Sequence, residues 1–282
     1  MVTFRAGDAR QEGCIVRQKT RCIRVPRGVT ATVEWEMRDE SGDAVPLTDY
    51  WPEASESESG SPLVLAEIQV RFVPVEERNM ALLPTQEGVV VDSSRGIVKF
   101  AVPYELTRRS GVYRFSIGIV TENNEVERID NGLIVVEPSL WGDREQDSGM
   151  PSIQEVRDYL RDTAVENDLL RDVEFDDAEI ALALIACLRE WNESPPLIVR
   201  HTCDSFPYRE MWLKGVFAHL YQTAAMWYHR NDLQATHGGL TIQDRNKHRE
   251  YEARAVRYLQ EWRSAMLAKK VEINAYRCYG QI

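Results

Sequence analysis

The sequence predicts an α+β protein of two domains. An N-terminal antiparallel β-sandwich of Ig-like type occupies 1–138, a linker 139–151, and a C-terminal α-helical bundle 152–282, with a long last helix and an extended C-terminal tail. Three observations predict this. Much of the first half alternates apolar and polar residues with the two-residue period of a half-buried strand. The second half repeats its apolar residues every three or four positions, as amphipathic helices do. Between them "EPSLWGDREQDSGMPS" is rich in proline, glycine and charge, the composition of a domain boundary.

The strands come first. In "GVTATVEWEMRDESGDAVPL", Val29, Ala31, Val33, Trp35 and Met37 share one strand face, and "DESGDAVPL" supplies turn residues and a return. "AEIQVRFVPV" alternates through Ile68, Val70 and Phe72. "GIVKFAVP" and "GVYRFSIGIVTENNEVERIDNGLIVVEP" give three more strands, with a hairpin turn at Asn123-Asn124, where positive φ is cheap. "WPEASESESGSP" at 51–62 is a polar, low-complexity loop.

Helical signals begin at Ser152, an N-cap with Glu155 three residues on, the pattern of a capping box. Ile153, Val156 and Leu160 then point inward. The next helix starts at Asp176 or Asp177 and buries Ile180, Leu184, Cys187, Leu188 and Trp191, until "NESPP" stops it. "DSFPYREMWLKGVFAHLYQTAAMWYHRND" is a third helix, thick with aromatics. Gly238-Gly239 reads as a hinge, and Leu240-Thr241-Ile242 is too short to make a sheet alone. Asp244 can cap the last helix. Along that helix, Tyr251, Ala255, Tyr258, Trp262, Ala265 and Met266 form one apolar stripe, while Arg249, Arg254, Arg257, Arg263, Lys269 and Lys270 fall largely off it. "INAYRCYGQI" closes the chain as an aromatic, nearly uncharged tail.

Composition is that of a folded protein: 282 residues, 43% hydrophobic and 28% charged. "MVTFRAGDAR" has no apolar core of the signal-peptide kind, and the run Ile180 to Leu188 is too short to span a bilayer. The expectation is a protein made in a cytoplasm, with no membrane partner. Five scattered cysteines without a CxxC suit a reduced chain. The net charge of −11 is uneven: 1–150 hold 25 acids and 17 bases, 151–200 hold 12 and 5, and 201–282 hold 8 and 12. The acidic total disfavours nonspecific nucleic-acid binding by the whole protein. The acidic-then-basic split suits head-to-side packing of identical subunits.

Catalytic signatures are absent. The sequence has no GxSxG, Walker A loop, HExxH or GxGxxG after a strand. His201 and Cys203 form H-x-C without a second pair at zinc spacing, so an ordinary loop is favoured over a metal site. Asp176, Asp177 and Glu179 read as an acidic first turn that complements the helix dipole rather than a carboxylate cluster. "DSG" at 147–149 is a tripeptide without a histidine before it. No enzyme, metal or cofactor is expected. The basic face of the last helix has three readings: a solvated face with pairs such as Glu250–Arg254, a phosphate-contacting surface, or a face that meets a neighbouring copy.

Both halves carry a family resemblance. "SIQEVRDYL" at 152–160, "FDDAEIALALIACLREWNE" at 175–193 and "HGGLTIQDRNKHREYEARAVRYLQEWRSAMLAKKVEINAYRCYG" resemble tailed-phage head-to-tail connector (adaptor) proteins. In related phage proteins a Gly-Gly-aliphatic-Ser/Thr segment precedes a long helix ending in Lys-Lys and a Tyr-Gly tail. "FRAGDARQ", "ATVEWEMRDESGDAVPLT" and "GIVKFAVP" are similar, more loosely, to the N-terminal domain of phage baseplate upper proteins, a domain that adaptors usually lack.

The resemblance implies a structural virion protein assembled in the host cytoplasm. It implies a homo-oligomeric ring, typically of twelve copies, in the neck between the portal and the next neck or tail protein; any DNA contact would be nonspecific, with genome threading the channel. It assigns subunit and portal contacts to Tyr251, Arg254, Arg257, Tyr258, Trp262, Lys269, Lys270, Ile273, Tyr276 and Tyr279, and a hinge to Gly238 and Gly239. Each copy's acidic 166–179 face is expected to meet a neighbour's basic 245–270 face. The alternative is a tail or baseplate protein whose β domain binds a host surface.

Overall fold

The structure is a computed structural model. It describes 2–5, 21–39, 42–48, 50, 67–75, 83, 85–121, 125–138, 149–165, 167, 172–231, 234–237, 240–243 and 247–279. The loop 51–62, the turn residues Asn123-Asn124, the capping residue Asp244 and the hinge Gly238-Gly239 lie outside these residues. The chain divides into two compact units, Met1–Gly142 and Asp143–Ile282.

The first unit contains β1 (Val2–Arg5), β2 (Cys22–Pro26), β3 (Ala31–Glu36), β4 (Glu67–Pro74), β5 (Gln86–Asp92), β6 (Ile97–Val102), the short helix α1 (Tyr104–Thr107), β7 (Gly111–Val120) and β8 (Val126–Glu137). The alternation is realised in space: Val33 and Trp35, Ile68, Val70 and Phe72, and Val98, Phe100 and Val102 are buried in one apolar core.

The Ig-like antiparallel sandwich is not what forms. Among the described residues the strands make one eight-stranded sheet in the order β1-β3-β6-β5-β4-β7-β8-β2, and it is mixed, because β1 pairs parallel with β3 and β2 parallel with β8. This sheet curls on itself like a nearly closed barrel. Trp35 of β3 meets Phe115 of β7 edge-on at 4.7 Å and donates its indole N–H to Asp130 of β8 at 2.7 Å. β8 stands five places from β3 in the strand order, about 24 Å away in a flat sheet. Gly132 permits the closure, since a Cβ there would lie 2.6 Å from the rings of both Phe115 and Trp35. The Arg21 guanidinium covers Trp35 at 3.6 Å and bonds Asp130 at 3.3 Å. The physical reason for the difference is that alternation reports which face of a strand is buried. It carries no information about the partner or its direction. β1 and β2 are consecutive in sequence yet occupy opposite edges.

The second unit contains α2 (Ile153–Leu160), α3 (Asp177–Glu193), α4 (Arg209–Arg230), β9 (Gln234–His237), β10 (Leu240–Gln243) and α5 (Lys247–Tyr279). The Ser152 hydroxyl accepts from Glu155 N at 3.1 Å, but the Glu155 carboxylate is drawn to Arg209 of α4 at 2.8 Å. The reciprocal capping box forms instead at Asp176 and Glu179, with bonds of 2.8 and 3.0 Å. Leu240–Gln243 does find a strand partner: it pairs antiparallel with Gln234–His237.

α4 and α5 run antiparallel, as the contacts Gly215 with Trp262, Tyr221 with Tyr258, and Tyr228 with Tyr251 show. The extended C-terminal tail is also corrected, because α5 is helical through Tyr279. Nothing in "INAYRCY" breaks a helix, and the first stop signal is Gly280.

Candidate interaction surface

α5 is a helix of 33 residues, about 50 Å long at 1.5 Å per residue. Its inner face is firmly fixed. Ala255, Trp262 and Met266 are buried, and Tyr251 and Tyr258 are half-buried. Tyr258 stacks on Tyr221 at 5.8 Å and Tyr251 on Tyr228 at 5.1 Å, so tyrosines seven residues apart on each helix interleave into one seam. Glu174 accepts hydroxyl bonds from Tyr228 at 3.2 Å and from Tyr251. Burial, then the Glu174 carboxylate, pushes the Tyr251 hydroxyl well above its ordinary range.

Glu190 of α3 joins three helices. It accepts from Trp262 Nε1 at 2.9 Å and Arg263 Nε at 2.8 Å on α5, and faces His219 Nε2 of α4 at 3.7 Å. The His219 distance is longer than an ordinary hydrogen bond. His219, then Arg263 and Trp262, hold the Glu190 carboxyl down to about 2 against the opposing effect of burial.

Lys270, a surface base by sequence, is only 2% exposed. Its ammonium donates to Trp191 O at 2.5 Å and to Ser194 O, and lies 5.2 Å from the Trp191 ring. It therefore caps the C-terminus of α3, where free carbonyls and the negative end of the helix dipole favour a cation. Burial lowers its pKa from the ordinary 10.5.

The residues expected to form one contact face are divided by the fold. Trp262 and Lys270 are buried, Tyr251 and Tyr258 sit in the tyrosine seam, and Ile273 is half-buried. Lys269 pairs with Glu272 at 2.9 Å and covers Tyr208 at 5.4 Å. Arg254 and Arg257 are exposed along the seam's flank, 5.8 Å from the Tyr221 ring and 5.0 Å from the Tyr258 ring. Tyr276 is exposed, and Tyr279 ends the helix. Near Tyr276, Arg277 donates to Ile198 O at 3.2 Å, which ties the last turns of α5 to a loop exposing Leu197 and Val199.

The structure shows a second stripe that the sequence reading does not single out. On the face opposite Trp262, Ala253, Val256, Gln260, Ser264, Leu267 and Val271 succeed one another at three- and four-residue steps, and all are exposed. Val256, Leu267 and Val271 are 48–54% exposed. Arg249, Glu252 and Arg257 flank the stripe's N-terminal half, beside Ala253, Val256 and Gln260. The spacing is present in the sequence, but the stronger aromatic stripe masks it.

The carboxylates of the α2–α3 region largely serve the fold. Arg157, buried on α2, bonds Asp162 at 3.0 Å and Asp177 at 2.6 Å. Asp162 also accepts from Asn167 and from the backbone N–H groups of Glu174 and Phe175 at 2.8, 2.6 and 3.0 Å. Asp176 and Glu179 are held by their own capping box. Among the described acids of this region, Asp162, Asp176, Asp177 and Glu179 thus have partners within the chain.

His201 is fixed by its loop: its Nδ1 lies 3.1 Å from Ser205 O, and Asn192 bonds its backbone at 2.8 and 2.9 Å. Burial lowers its pKa. Among the described residues no group of three His, Cys, Asp or Glu could hold a metal, and no helix is long and apolar enough to cross a membrane. No protein-family model matches the chain, and a search of curated proteins finds no significant relative.

Proposed function

We propose that the protein is a non-enzymatic structural component of a tailed-phage virion, an adaptor that assembles as a ring between portal and tail in the neck. The observation that carries this reading is the two-sided α5. Its inner face is closed by α3 and α4, and its outer face keeps a row of aliphatic side chains in water. A long helix packed on one side with a second apolar row on the other suits the wall of an assembly, where a neighbour completes the burial.

The end of α5 supplies a second contact region. Tyr276, Leu197 and Val199 are 43–75% exposed, and they form the surface offered to the portal or to the next neck protein. Aromatic and aliphatic anchors of this kind supply most of the energy of an interface, with charges setting encounter and register.

The test is mass and shape of the purified chain, by light scattering and negative-stain imaging, alone and with a portal ring. Rings, alone or templated by the portal, support the adaptor reading. A monomer that ignores the portal sinks it. The competing reading, a tail or baseplate protein working through its β unit, rests on Val89 and Val91, which stand 66% and 53% exposed on β5. Binding of the full chain to host cells, lost on changing Val89 and Val91 to serine, would favour it.

A further inference from the structure

We infer that the loop 194–200 and the last turns of α5 form a docking strip for an extended segment of a partner protein. That segment carries apolar side chains and carboxylates, and it adds to the loop as a strand. The inference rests on the reading above that this end of α5 meets the portal or the next neck protein, and it names the chemistry and mode of that contact.

The loop "SPPLIVR" follows α3, which stops where Pro195 and Pro196 begin. It is held along α5 at two points about two helical turns apart: Lys270 donates to Ser194 O, and Arg277 donates to Ile198 O at 3.2 Å. Beyond it, the Asn192 side chain clasps the backbone of His201 at 2.8 and 2.9 Å. Between these anchors burial alternates. Leu197 and Val199 are 75% and 43% exposed, while Ile198 is half-buried. A two-residue period puts Leu197 and Val199 on one side, as in a strand.

This strand-like run has no strand beside it. Among the described residues, the backbone N–H groups of Leu197, Ile198, Val199 and Arg200 bond nothing, and of their carbonyls only Ile198 O is taken. A fixed segment with a free backbone edge and aliphatic side chains in water is a template for an added strand. The main chain then gives affinity, and the alternate side chains give specificity. The anchors remove much of the ordering entropy on the loop's side before binding.

Charge selects the occupant. Neither "SPPLIVR" nor the neighbouring "INAYRC" at 273–278 contains an acid, and each contains one exposed arginine, Arg200 and Arg277. The acids that bracket them are engaged within the chain: Glu272 pairs with Lys269 at 2.9 Å, and Glu193 has a partner of its own. Tyr276, 73% exposed, adds an aromatic anchor beside Arg277. A segment that alternates apolar side chains with carboxylates therefore fits both the edge and the charge.

The test uses the full chain at low salt and labelled peptides of about eight residues, in which valine alternates with glutamate, serine or lysine. Binding is read by fluorescence anisotropy. The expected order is glutamate over serine over lysine, with about tenfold or more between the ends. Methylating the backbone nitrogens of the glutamate peptide should remove binding, because the added strand then lacks its donors. Leu197→Asp should abolish binding of the glutamate peptide, and Arg200→Glu should shift preference toward the lysine peptide. Val199→Asp, on the same side as Leu197, serves as a second variant, and thermal melts confirm that each folds. Binding of portal rings, read by sedimentation, should fall in Leu197→Asp while self-association stays.

No binding by any peptide, equal binding of the glutamate and lysine peptides, or full binding by the methylated peptide would overturn the inference. So would folded Leu197→Asp and Val199→Asp chains that bind portal rings as the wild type does. Loss of self-association in those variants would also overturn it, by giving the strip to a second copy. In each of these cases a wild-type chain that forms rings leaves the ring reading standing. A wild-type chain that forms no ring and ignores the portal removes that reading and the inference with it.

Discussion

The two faces of α5 are built from the same helix and do opposite things. The inner face is packed and bonded: Trp262 has its N–H bonded to Glu190, Lys270 has carbonyls for its ammonium, and the tyrosines are stacked. The outer face leaves Val256, Leu267 and Val271 in water. The lesson is that stability and association are written on separate sides, so a substitution can strike one and spare the other.

The largest expected effect comes from emptying the inner face. Trp262→Ala should cost about 3–5 kcal/mol of stability, as loss of a buried tryptophan does, and should lower the urea midpoint of the helical unit. If the midpoint hardly moves, the inner face is not the core described here. Next is Lys270→Met, which keeps the length of the side chain but leaves the Trp191 and Ser194 carbonyls without their donor. A loss of about 1–3 kcal/mol is expected in the same denaturation assay.

A third prediction concerns pH. The Glu190 carboxyl sits at about 2 in the folded chain against an ordinary 4.5. Its folded pKa is depressed, so its stabilising contribution is full above about 4.5 and is lost as pH falls through about 2. The stability gap between wild type and Glu190→Gln should therefore be constant at neutral pH and close on acidification. A gap unchanged down to pH of about 2 would show that Glu190 acts through packing alone.

The smallest effect on folding belongs to the outer face. Val256→Asp should shift stability by no more than about 0.5 kcal/mol, as exposed substitutions do, while removing self-association.

Some of this is legible in the sequence. The aromatic stripe of α5 from Tyr251 to Met266, the buried row of α3 from Ile180 to Trp191 and the start of α3 at Asp176 all come from local spacing and capping chemistry, and the structure places them so. Sheet direction is not legible, because β1 and β2 join partners distant in sequence and pattern alone does not say which. Nor is the burial of Lys270, since a lysine is drawn inside only by tertiary carbonyls that no local pattern announces. The C-terminal segment suggests an extended tail because its aromatic composition outweighs the absence of any helix breaker before Gly280.

The most direct test of the central claim compares the wild-type chain with Val256→Asp by light scattering, alone and on portal rings. The account predicts rings for the wild type and none for Val256→Asp, at nearly equal thermal stability. Equal assembly of both, or a loss of folding in Val256→Asp, would contradict it.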